Sequence, residues 1–313
     1  MRLCTLRAGD GRLRAGLLVQ SGAITLEAAL AGVPEHLPVD LDSAATPRDP
    51  AGVLTLLDVW DEALPTLRAA AQAAHDLAPD ELEPVTPELL GPPIPRPGKI
   101  ICVGLNYADH ARETGAQIPA QPILFAKFAT CVRGPADDVI RPLGVTDLDY
   151  EAELAVVIGR RARHIAAEHA LDAVAGYTVS NDVSARSAQL REGGQWVKGK
   201  SFDTFCPIGP ALVTTDELPN PQILAIRCLV DGTVRQDSTT AQMIFSVAEL
   251  VSFCSRSMTM EPGDLILTGT PPGVAMARDP SPWLQPGQLC EVDIDGVGRI
   301  ANHIIDEIPA EGL

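Results

Sequence analysis

Apolar and polar positions recur with two different periods, and the change of period divides the chain into three stretches. Residues 1 to about 30 alternate as strands do, around turns at residues 8–11 and 21–22, which predicts short antiparallel strands. Between residues 51 and 74 the apolar positions recur at helical spacing, so we expect one or two helices interrupted at Pro65. Six prolines between residues 84 and 97 then exclude a helix and a central strand.

We place a domain boundary in this proline-rich stretch, between a small N-terminal α+β domain over residues 1–95 and a larger domain over residues 96–313. The patterns beyond the boundary predict strands near residues 99–104, 123–128, 148–158, 174–181, 208–214, 223–230 and 262–269. Asp-Gly pairs at 231–232 and 295–296 predict hairpin turns, and the second turn joins strands 289–294 and 297–305. Helical spacing fits residues 106–114, 168–174, 183–192 and 245–256. The predicted fold class is α+β, mainly β, rather than doubly wound.

Composition narrows the class of partner. A chain of 313 residues with 46% hydrophobic content can bury a sizeable core, and its net charge of −17 argues against nucleic acid or an anionic membrane as the partner. Seven cysteines without a C-x-x-C pair indicate buried thiols rather than a zinc site or a disulfide framework. We find no apolar run of membrane-spanning length and no leader pattern, which predicts a cytoplasmic protein.

Residues 147–159, DLDYEAELAVVIG, combine alternating charges with an apolar tail. On a regular strand Asp149, Glu151 and Glu153 share one face, because successive side chains point to opposite sides. Neighbouring carboxylates repel each other, so a buried acidic face needs a cation, and a hard divalent metal is one candidate. A half-exposed strand with a solvated acidic edge is the alternative, and this stretch alone leaves both open.

Asp182 lies where a predicted strand turns into a predicted helix. Its carboxylate suits a helix N-cap, which the local pattern favours, or a third metal ligand. Arg186 and Gln189 follow three residues apart on one helix face, where they could bind an anionic group held near Asp182.

His110 and Glu113 lie three apart on a predicted helix, a spacing at which a carboxylate can orient an imidazole as general base. A surface pair without a role is the alternative. Lys200 lies in a glycine-containing segment, and Thr270 lies among small residues at a strand end. The P-loop, dinucleotide-binding, nucleophile-elbow and zinc-protease motifs are all absent from the sequence.

Five segments in this order, NYADHARE, DYEAEL, NDVSAR, KGKSFDTFCPIGPAL and LTGTPPGV, resemble the fumarylacetoacetate hydrolase superfamily over roughly residues 99–305. The resemblance implies a twisted β-roll catalytic domain, one Mg²⁺ or Mn²⁺ ion per subunit, and a homodimer. It also implies that Glu151, Glu153 and Asp182 hold the metal. Three carboxylates without histidine or cysteine agree with a hard ion, whose octahedral shell would keep about three positions for water or substrate.

The same resemblance assigns the remaining candidates. It implies catalytic roles for His110, Glu113 and Lys200, and substrate-binding roles for residues that include Arg186 and Gln189. Thr270 joins the substrate-binding candidates from the LTGTPPGV segment. One departure is Ser187, where several members carry an acidic residue, which puts in doubt how the neighbouring arginine is held.

The tracts GGQWVKGKSFDTFCPIGPALVT and QMIFSVAELV are most similar to the branch with oxaloacetate tautomerases and decarboxylases and diketo-sugar-acid hydrolases. We therefore expect a metal-dependent enzyme that cleaves a C–C bond, by hydrolysis or decarboxylation, in a small anionic 2-oxo or 2,4-dioxo carboxylate through a metal-stabilised enolate. The first alternative is a tautomerase or isomerase of oxaloacetate or a related 2-oxo acid. The second is a non-catalytic metal- or ligand-binding protein, which would not need the pair of His110 and Glu113.

Overall fold

The first three strands of the computed structural model form an antiparallel unit, as the alternation predicts. They are β1 (Arg2–Arg7), β2 (Leu13–Val19) and β3 (Gly22–Thr25). The structure describes residues 1–9, 12–20, 22–31, 33–34, 36–39, 49 and 51–309. The turns predicted at residues 8–11 and 21–22 therefore lie partly outside the described residues, because Asp10, Gly11 and Ser21 are not among them.

Three helices follow in the N-terminal part, namely α1 (Leu26–Leu30), α2 (Val53–Asp58) and α3 (Trp60–His75). The predicted interruption at Pro65 is wrong, because α3 continues through this proline. The break lies at Val59, which leaves helical geometry at φ −116° and ψ 32° and whose carbonyl accepts the first hydrogen bonds of α3. Pro65 is the sixth residue of this helix, where it removes one N–H donor and crowds the Asp61 carbonyl, and the helix continues in spite of that cost.

The proline-rich stretch packs against the N-terminal strands. Short 3₁₀ turns at Pro79–Glu81 and Pro87–Leu89 lead into strand β4 (Leu90–Gly91), which pairs with β1. Strand β1 in turn pairs with a strand of the C-terminal region, with Leu3 opposite Leu212. The N-terminal strands therefore extend the main sheet, and the domain boundary near residue 95 stays a prediction.

The remaining strands and helices follow the predicted order. The strands are β5 (Ile100–Gly104), β6 (Ile123–Lys127), β7 (Val132–Arg133), β8 (Val139–Arg141), β9 (Leu148–Asp149), β10 (Ala152–Ile158), β11 (Val174–Asn181), β12 (Ser184–Ala185), β13 (Cys206–Thr214), β14 (Ala225–Val230), β15 (Thr233–Thr239), β16 (Leu265–Leu267), β17 (Leu289–Ile294) and β18 (Gly298–Asp306). The helices are α4 (Ala108–Thr114), α5 (Arg186–Leu190), α6 (Trp196–Lys200) and α7 (Val247–Ser257). Further 3₁₀ turns lie at Ala129–Cys131, Ala167–Ala173, Thr240–Gln242 and Ala275–Ala277.

Both predicted hairpins are confirmed, between β14 and β15 and between β17 and β18. The helix predicted at 168–174 is a 3₁₀ helix, and the helix predicted at 183–192 is shortened because residues 184–185 form β12. Helix α6 and the short strands β7, β8 and β12 were not predicted. The fold class of α+β, mainly β, is confirmed.

Two large sheets and a separate two-stranded pairing of β9 with β12 contain the described strands of the C-terminal region. Within the described residues the larger sheet has the strand order β3-β2-β1-β13-β11-β10-β16-β5-β6, with β4 beside β1 and β7 beside β13. The smaller sheet has the order β15-β14-β17-β18-β8. Strands β10, β11 and β13 pack against the smaller sheet and enclose a core of fully buried residues such as Val156, Val179 and Val292. Among the described helices, none is long and apolar enough to cross a membrane.

The strand predicted at 148–158 is broken at Tyr150 and Glu151, so the prediction of one continuous strand is wrong there. The Tyr150 N–H donates to Asp149 Oδ1 at 2.9 Å, and the Glu151 N–H donates to Asn181 Oδ1 at 3.0 Å. Side-chain oxygens thus replace the ladder partners of these two amides. The break separates Asp149, which pairs with β12, from the two glutamates that follow.

Candidate metal centre and its cavity

The predicted triad of carboxylates is assembled by two neighbouring antiparallel strands. Glu151 immediately precedes β10 and Glu153 is its second residue, and Asp182 follows the end of β11, in a register that sets Ala152 opposite Asn181. One oxygen from each carboxylate lies within 4.8 Å of the others. All three residues are buried, so bulk solvent compensates little of their charge.

Asp182 is not a helix N-cap. Helix α5 begins only at Arg186, and its N-cap residue Ala185 offers no side-chain hydrogen bond. Asp182 instead accepts hydrogen bonds from Lys127 Nζ at 2.6 Å and from Lys200 Nζ at 2.9 Å. The hypothesis of a cap is therefore wrong, and the carboxylate is part of a buried ionic cluster.

Two cations compensate Glu151. Arg186 Nη2 and Lys200 Nζ each donate to one of its oxygens at 2.6 Å. Burial alone would raise the pKa of Glu151, but the charges of Lys200 and Arg186 and their hydrogen bonds lower it to about 2. This carboxylate is therefore ionised at neutral pH.

Glu153 has a different environment. It accepts a hydrogen bond from the Gly269 N–H at 2.7 Å, and the ion pairs of the described residues do not include it. Burial, together with the charges of Asp182 and Glu151, raises the pKa of Glu153 well above its usual value. The cluster thus lacks positive charge at Glu153, and an oxygen-only donor set without histidine or cysteine fits a hard dication such as Mg²⁺ or Mn²⁺.

Lys127 is a member of the cluster that sequence reasoning missed. It lies at the end of β6, its side chain is fully buried, and it bonds Asp182 and the Val183 carbonyl. Burial alone would lower the pKa of Lys127, but the charge of Asp182 outweighs it and raises that pKa. The one local signal in the sequence is a lysine in an otherwise apolar strand, ILFAK.

Arg186, predicted to bind substrate, is held by protein groups. Its Nε donates to Asp149 at 2.8 Å, its Nη2 bonds Glu151, and its Nη1 donates to Gln189 Oε1 at 2.9 Å. Ser187, the departure from the family pattern, bonds the carboxylate of Asp147 and leaves the guanidinium to these partners. The direct contacts of Arg186 therefore orient Glu151.

The loop of residues 273–276 connects this cluster to helix α4. Asp149 accepts hydrogen bonds from the N–H groups of Ala275 at 2.7 Å and Met276 at 3.1 Å. Glu113 of α4 accepts from the Gly273 N–H at 3.0 Å. The position of Glu113 and the position of Asp149 are therefore fixed by one short piece of backbone.

His110 and Glu113 form the predicted pair, with 3.0 Å between His110 Nδ1 and Glu113 Oε2. Asn106 anchors the segment that leads into their helix, because its Nδ2 donates to the Thr268 carbonyl at 2.8 Å and its Oδ1 accepts from the Phe245 N–H at 2.8 Å. Asn106 is a second residue that sequence reasoning missed.

A cavity of about 240 Å³ joins these groups. It brings together most of the predicted site residues, namely His110, Glu151, Glu153, Arg186, Gln189, Lys200 and Thr270. Thr270 accepts a hydrogen bond from Gln236 Nε2 at 2.8 Å. Asp182 and Glu113 lie behind this lining and touch it through Lys200 and His110. A larger groove of about 970 Å³, beside β2, α3 and residues 216–217, contains none of the predicted site residues.

Known proteins are similar to this chain in sequence and in fold. The model of the fumarylacetoacetate (FAA) hydrolase C-terminal family matches residues 99–305. A relative from Rattus norvegicus named oxaloacetate tautomerase Fahd2a, mitochondrial, is 44% identical over 271 residues, which cover 85% of this chain and 83% of the relative.

Two solved structures have a similar fold over nearly the whole chain. A fumarylacetoacetate hydrolase from Exiguobacterium antarcticum has a TM-score of 0.79 at 32% identity and covers 98% of this chain and 100% of its own. A 2-hydroxyhepta-2,4-diene-1,7-dioate isomerase from Mycobacterium marinum has a TM-score of 0.67 at 29% identity and covers 99% of this chain and 100% of its own. The chain therefore belongs to the fumarylacetoacetate hydrolase family.

Proposed function

We propose that the protein is a divalent-metal-dependent tautomerase of small 2-oxo carboxylates, with oxaloacetate as the first substrate to test. The observation that carries the proposal is that His110, backed by Glu113, lines the same cavity as Glu151 and Glu153. The name of the rat relative supports tautomerisation. For that reason we rank C–C cleavage, which the sequence first led us to expect, below tautomerisation.

In this proposal Glu151, Glu153 and Asp182 hold Mg²⁺ or Mn²⁺. When bound, the ion would stabilise negative charge that develops on the C2 oxygen of the substrate. Lys127, Lys200 and Arg186 hold Glu151 and Asp182 in position through charge-assisted hydrogen bonds.

The proton transfer falls to His110. Its Nδ1 is bonded to Glu113, which leaves Nε2 as the ring nitrogen that can exchange a proton with C3 of a substrate in the cavity. Glu113 is itself held by Gly273, so the imidazole is oriented before substrate arrives. Lys200 and Arg186 supply positive charge at the carboxylate end of the substrate, and Gln189 and Thr270 supply hydrogen bonds.

Hydrolysis of a 2,4-dioxo acid is the second candidate. The hydrolase from Exiguobacterium antarcticum has this chain's fold at 32% identity, which favours it. The same His110 would then remove a proton from water instead of from C3.

One experiment separates the reactions. Purified protein loaded with Mg²⁺ or Mn²⁺ is given oxaloacetate or an acylpyruvate, and enol absorbance and products are followed by spectrophotometry and NMR. A tautomerase accelerates keto–enol relaxation without forming a cleavage product. A hydrolase gives pyruvate and an acid, and a decarboxylase gives pyruvate and CO₂. Relaxation no faster than with the metal alone would exclude the proposed tautomerase.

The cellular setting stays a prediction. The sequence pattern favours a cytoplasmic location and the family resemblance implies a homodimer, whereas the name of the rat relative includes the word mitochondrial. Size-exclusion chromatography with light scattering tests the dimer, and imaging of a tagged full-length protein tests the location.

A further inference from the structure

One part of the cavity lining has no role in the proposed chemistry. Its residues share an apolar side chain and are Val103, Leu105, Phe125, Leu190, Trp196 and Met276. Leu190 and Met276 remain 46% and 40% exposed. Apolar side chains left open in a cavity that also holds buried charges indicate a ligand with one charged and one apolar end.

The aromatic part of this lining is preformed. The rings of Phe125 and Trp196 meet edge to face, with 5.3 Å between their centroids and 67° between their planes. The Trp196 ring also lies against Gly104, where a Cβ atom would come within 2.8 Å of it. A ring of the ligand could join this pair in the edge-to-face geometry that aromatic groups prefer.

The cations of the lining are already engaged. Lys200 bonds Glu151 and Asp182, and Arg186 bonds Asp149, Glu151 and Gln189. Among the described lining residues these two carry the permanent positive charges, and both are already paired with protein carboxylates. An apolar group at C3 of a 2-oxo acid can lie against Phe125 and Trp196 without breaking any of these ion pairs.

We propose that the protein also tautomerises arylpyruvates, that is, 2-oxo monocarboxylates with an aromatic ring on C3. The proposal rests on the proposed function, because it uses the same metal site and His110. In the reaction the C3–H bond breaks, a C2–C3 double bond forms, and the C2 oxygen gains a proton. Proton loss and proton gain balance, so neither water nor an oxidant is consumed. A cavity of about 240 Å³ suits a ligand with a single ring, since it is smaller than the roughly 300–1,000 Å³ of most ligand pockets.

The test compares phenylpyruvate with oxaloacetate on the metal-loaded full chain, by the rate of enol disappearance. We expect both to be accelerated. Trp196→Ala should lower the ratio of kcat/KM for phenylpyruvate to kcat/KM for oxaloacetate at least tenfold. Met276→Arg, which adds a cation to the apolar lining, should lower the same ratio. The matched control is Ile223→Arg, which adds the same charge at a side chain that is 67% exposed and outside the cavity lining, and should leave the ratio unchanged.

Binding supplies a readout independent of turnover. Phenylpyruvate should quench the fluorescence of Trp196, and Trp196→Phe should lose this quenching while it keeps an aromatic ring at the position. Acceleration of oxaloacetate without acceleration of phenylpyruvate would overturn this inference and leave the proposed function intact. Acceleration of neither substrate would overturn the proposed function, and the arylpyruvate activity with it.

Discussion

Lys127 and Asp182 form a 2.6 Å ion pair in which both side chains are completely shielded from solvent. The pair joins an edge strand of the larger sheet to the end of β11, and through Lys200 it extends to Glu151. The candidate metal centre is thus supported from behind by a cation that does not line the cavity.

Lys127→Met should destabilise the metal-free protein by about 3–5 kcal/mol, because it leaves Asp182 with one cationic partner in a buried site. Lys198→Met is the matched control, since Lys198 pairs with Glu192 on the surface, where loss of a pair costs about 0–1 kcal/mol. Urea unfolding of both variants measures the difference. Equal and small losses would show that the buried pair contributes little.

Glu153→Gln should preserve the stability of the metal-free protein and abolish its stabilisation by metal. The amide keeps the shape of a carboxylate that has no cationic partner among the described residues, but it removes a charge that a dication needs. For the wild type, Mn²⁺ at 100 times its Kd should add about 2.7 kcal/mol to the free energy of unfolding.

Glu151→Gln and Asp182→Asn should differ from Glu153→Gln, because each also breaks ion pairs and lowers metal-free stability. Glu168→Gln, at an exposed position, is the control for a lost surface carboxylate. Melting temperatures with and without Mn²⁺ give the comparison. If a variant keeps the full rise in melting temperature on addition of Mn²⁺, the substituted residue is not a metal ligand.

His110→Ala should lower the rate of tautomerisation roughly 10²–10⁴-fold while stabilisation by metal persists, because a positioned base is worth about that much. Glu113→Gln should lower the same rate by a smaller factor. His169→Ala is the matched control, since His169 also faces a carboxylate three residues on, Asp172, but is 70% exposed.

The same variants distinguish water activation from proton transfer at carbon. If the protein hydrolyses a 2,4-dioxo acid, His110→Ala should nearly abolish that reaction and reduce decarboxylation of oxaloacetate less, because decarboxylation needs no attacking water. Steady-state rates on both substrates, with metal occupancy checked, provide the measurement. Equal losses would exclude water activation as the role of His110.

The buried carboxyl group of Asp264 should make the free energy of unfolding depend on pH. Burial raises the pKa of Asp264 above its usual value, although Lys99 Nζ lies 2.9 Å from its carboxylate. The folded chain therefore holds this proton more tightly than the unfolded chain, and the contribution of Asp264 to stability falls as pH rises from about 4. Asp264→Asn should accordingly gain stability relative to the wild type over that range, as measured by urea unfolding at each pH.

Asp61 supplies a control of opposite sign. A hydrogen bond from Arg160 Nε at 2.7 Å lowers the pKa of Asp61, so its contribution to stability is present above the unfolded pKa and is lost as pH falls. Asp61→Asn should lose stability relative to the wild type as pH rises, by a small amount because the pair is exposed. If the stability of Asp264→Asn and of Asp61→Asn, each relative to the wild type, changed in the same direction with pH, the opposite pKa shifts of the two carboxyl groups would be contradicted.

Local patterns predict those parts of the site that are close together in the sequence. Period-two spacing predicts that Glu151 and Glu153 lie on one face of a strand, and helical spacing brings His110 next to Glu113. The approach of Asp182 to the glutamates depends on the register between β10 and β11, so spacing alone left a helix cap as the better hypothesis. Only the ordered family motifs favoured Asp182 as a metal ligand.

Long-range contacts were beyond local patterns. Lys127 meets Asp182 across 55 residues of sequence, and Asn106 meets Thr268 across 162. The break at Tyr150 was missed for a related reason, because a period-two pattern cannot reveal that side-chain oxygens take the place of ladder partners. These are the positions at which the tertiary structure, rather than propensity, determines the backbone.

The pairing of β1 with β13 has a consequence for assembly. The family match begins at residue 99, yet Leu212 and Val213 of β13 take their partners from β1. A version of the protein that begins at residue 99 would keep every predicted site residue but leave this stretch of β13 with unsatisfied N–H and C=O groups. Such an open edge is a template for strand exchange between copies. The N-terminal strands cover this edge, and we expect a version without them to self-associate more readily while it keeps the predicted site residues.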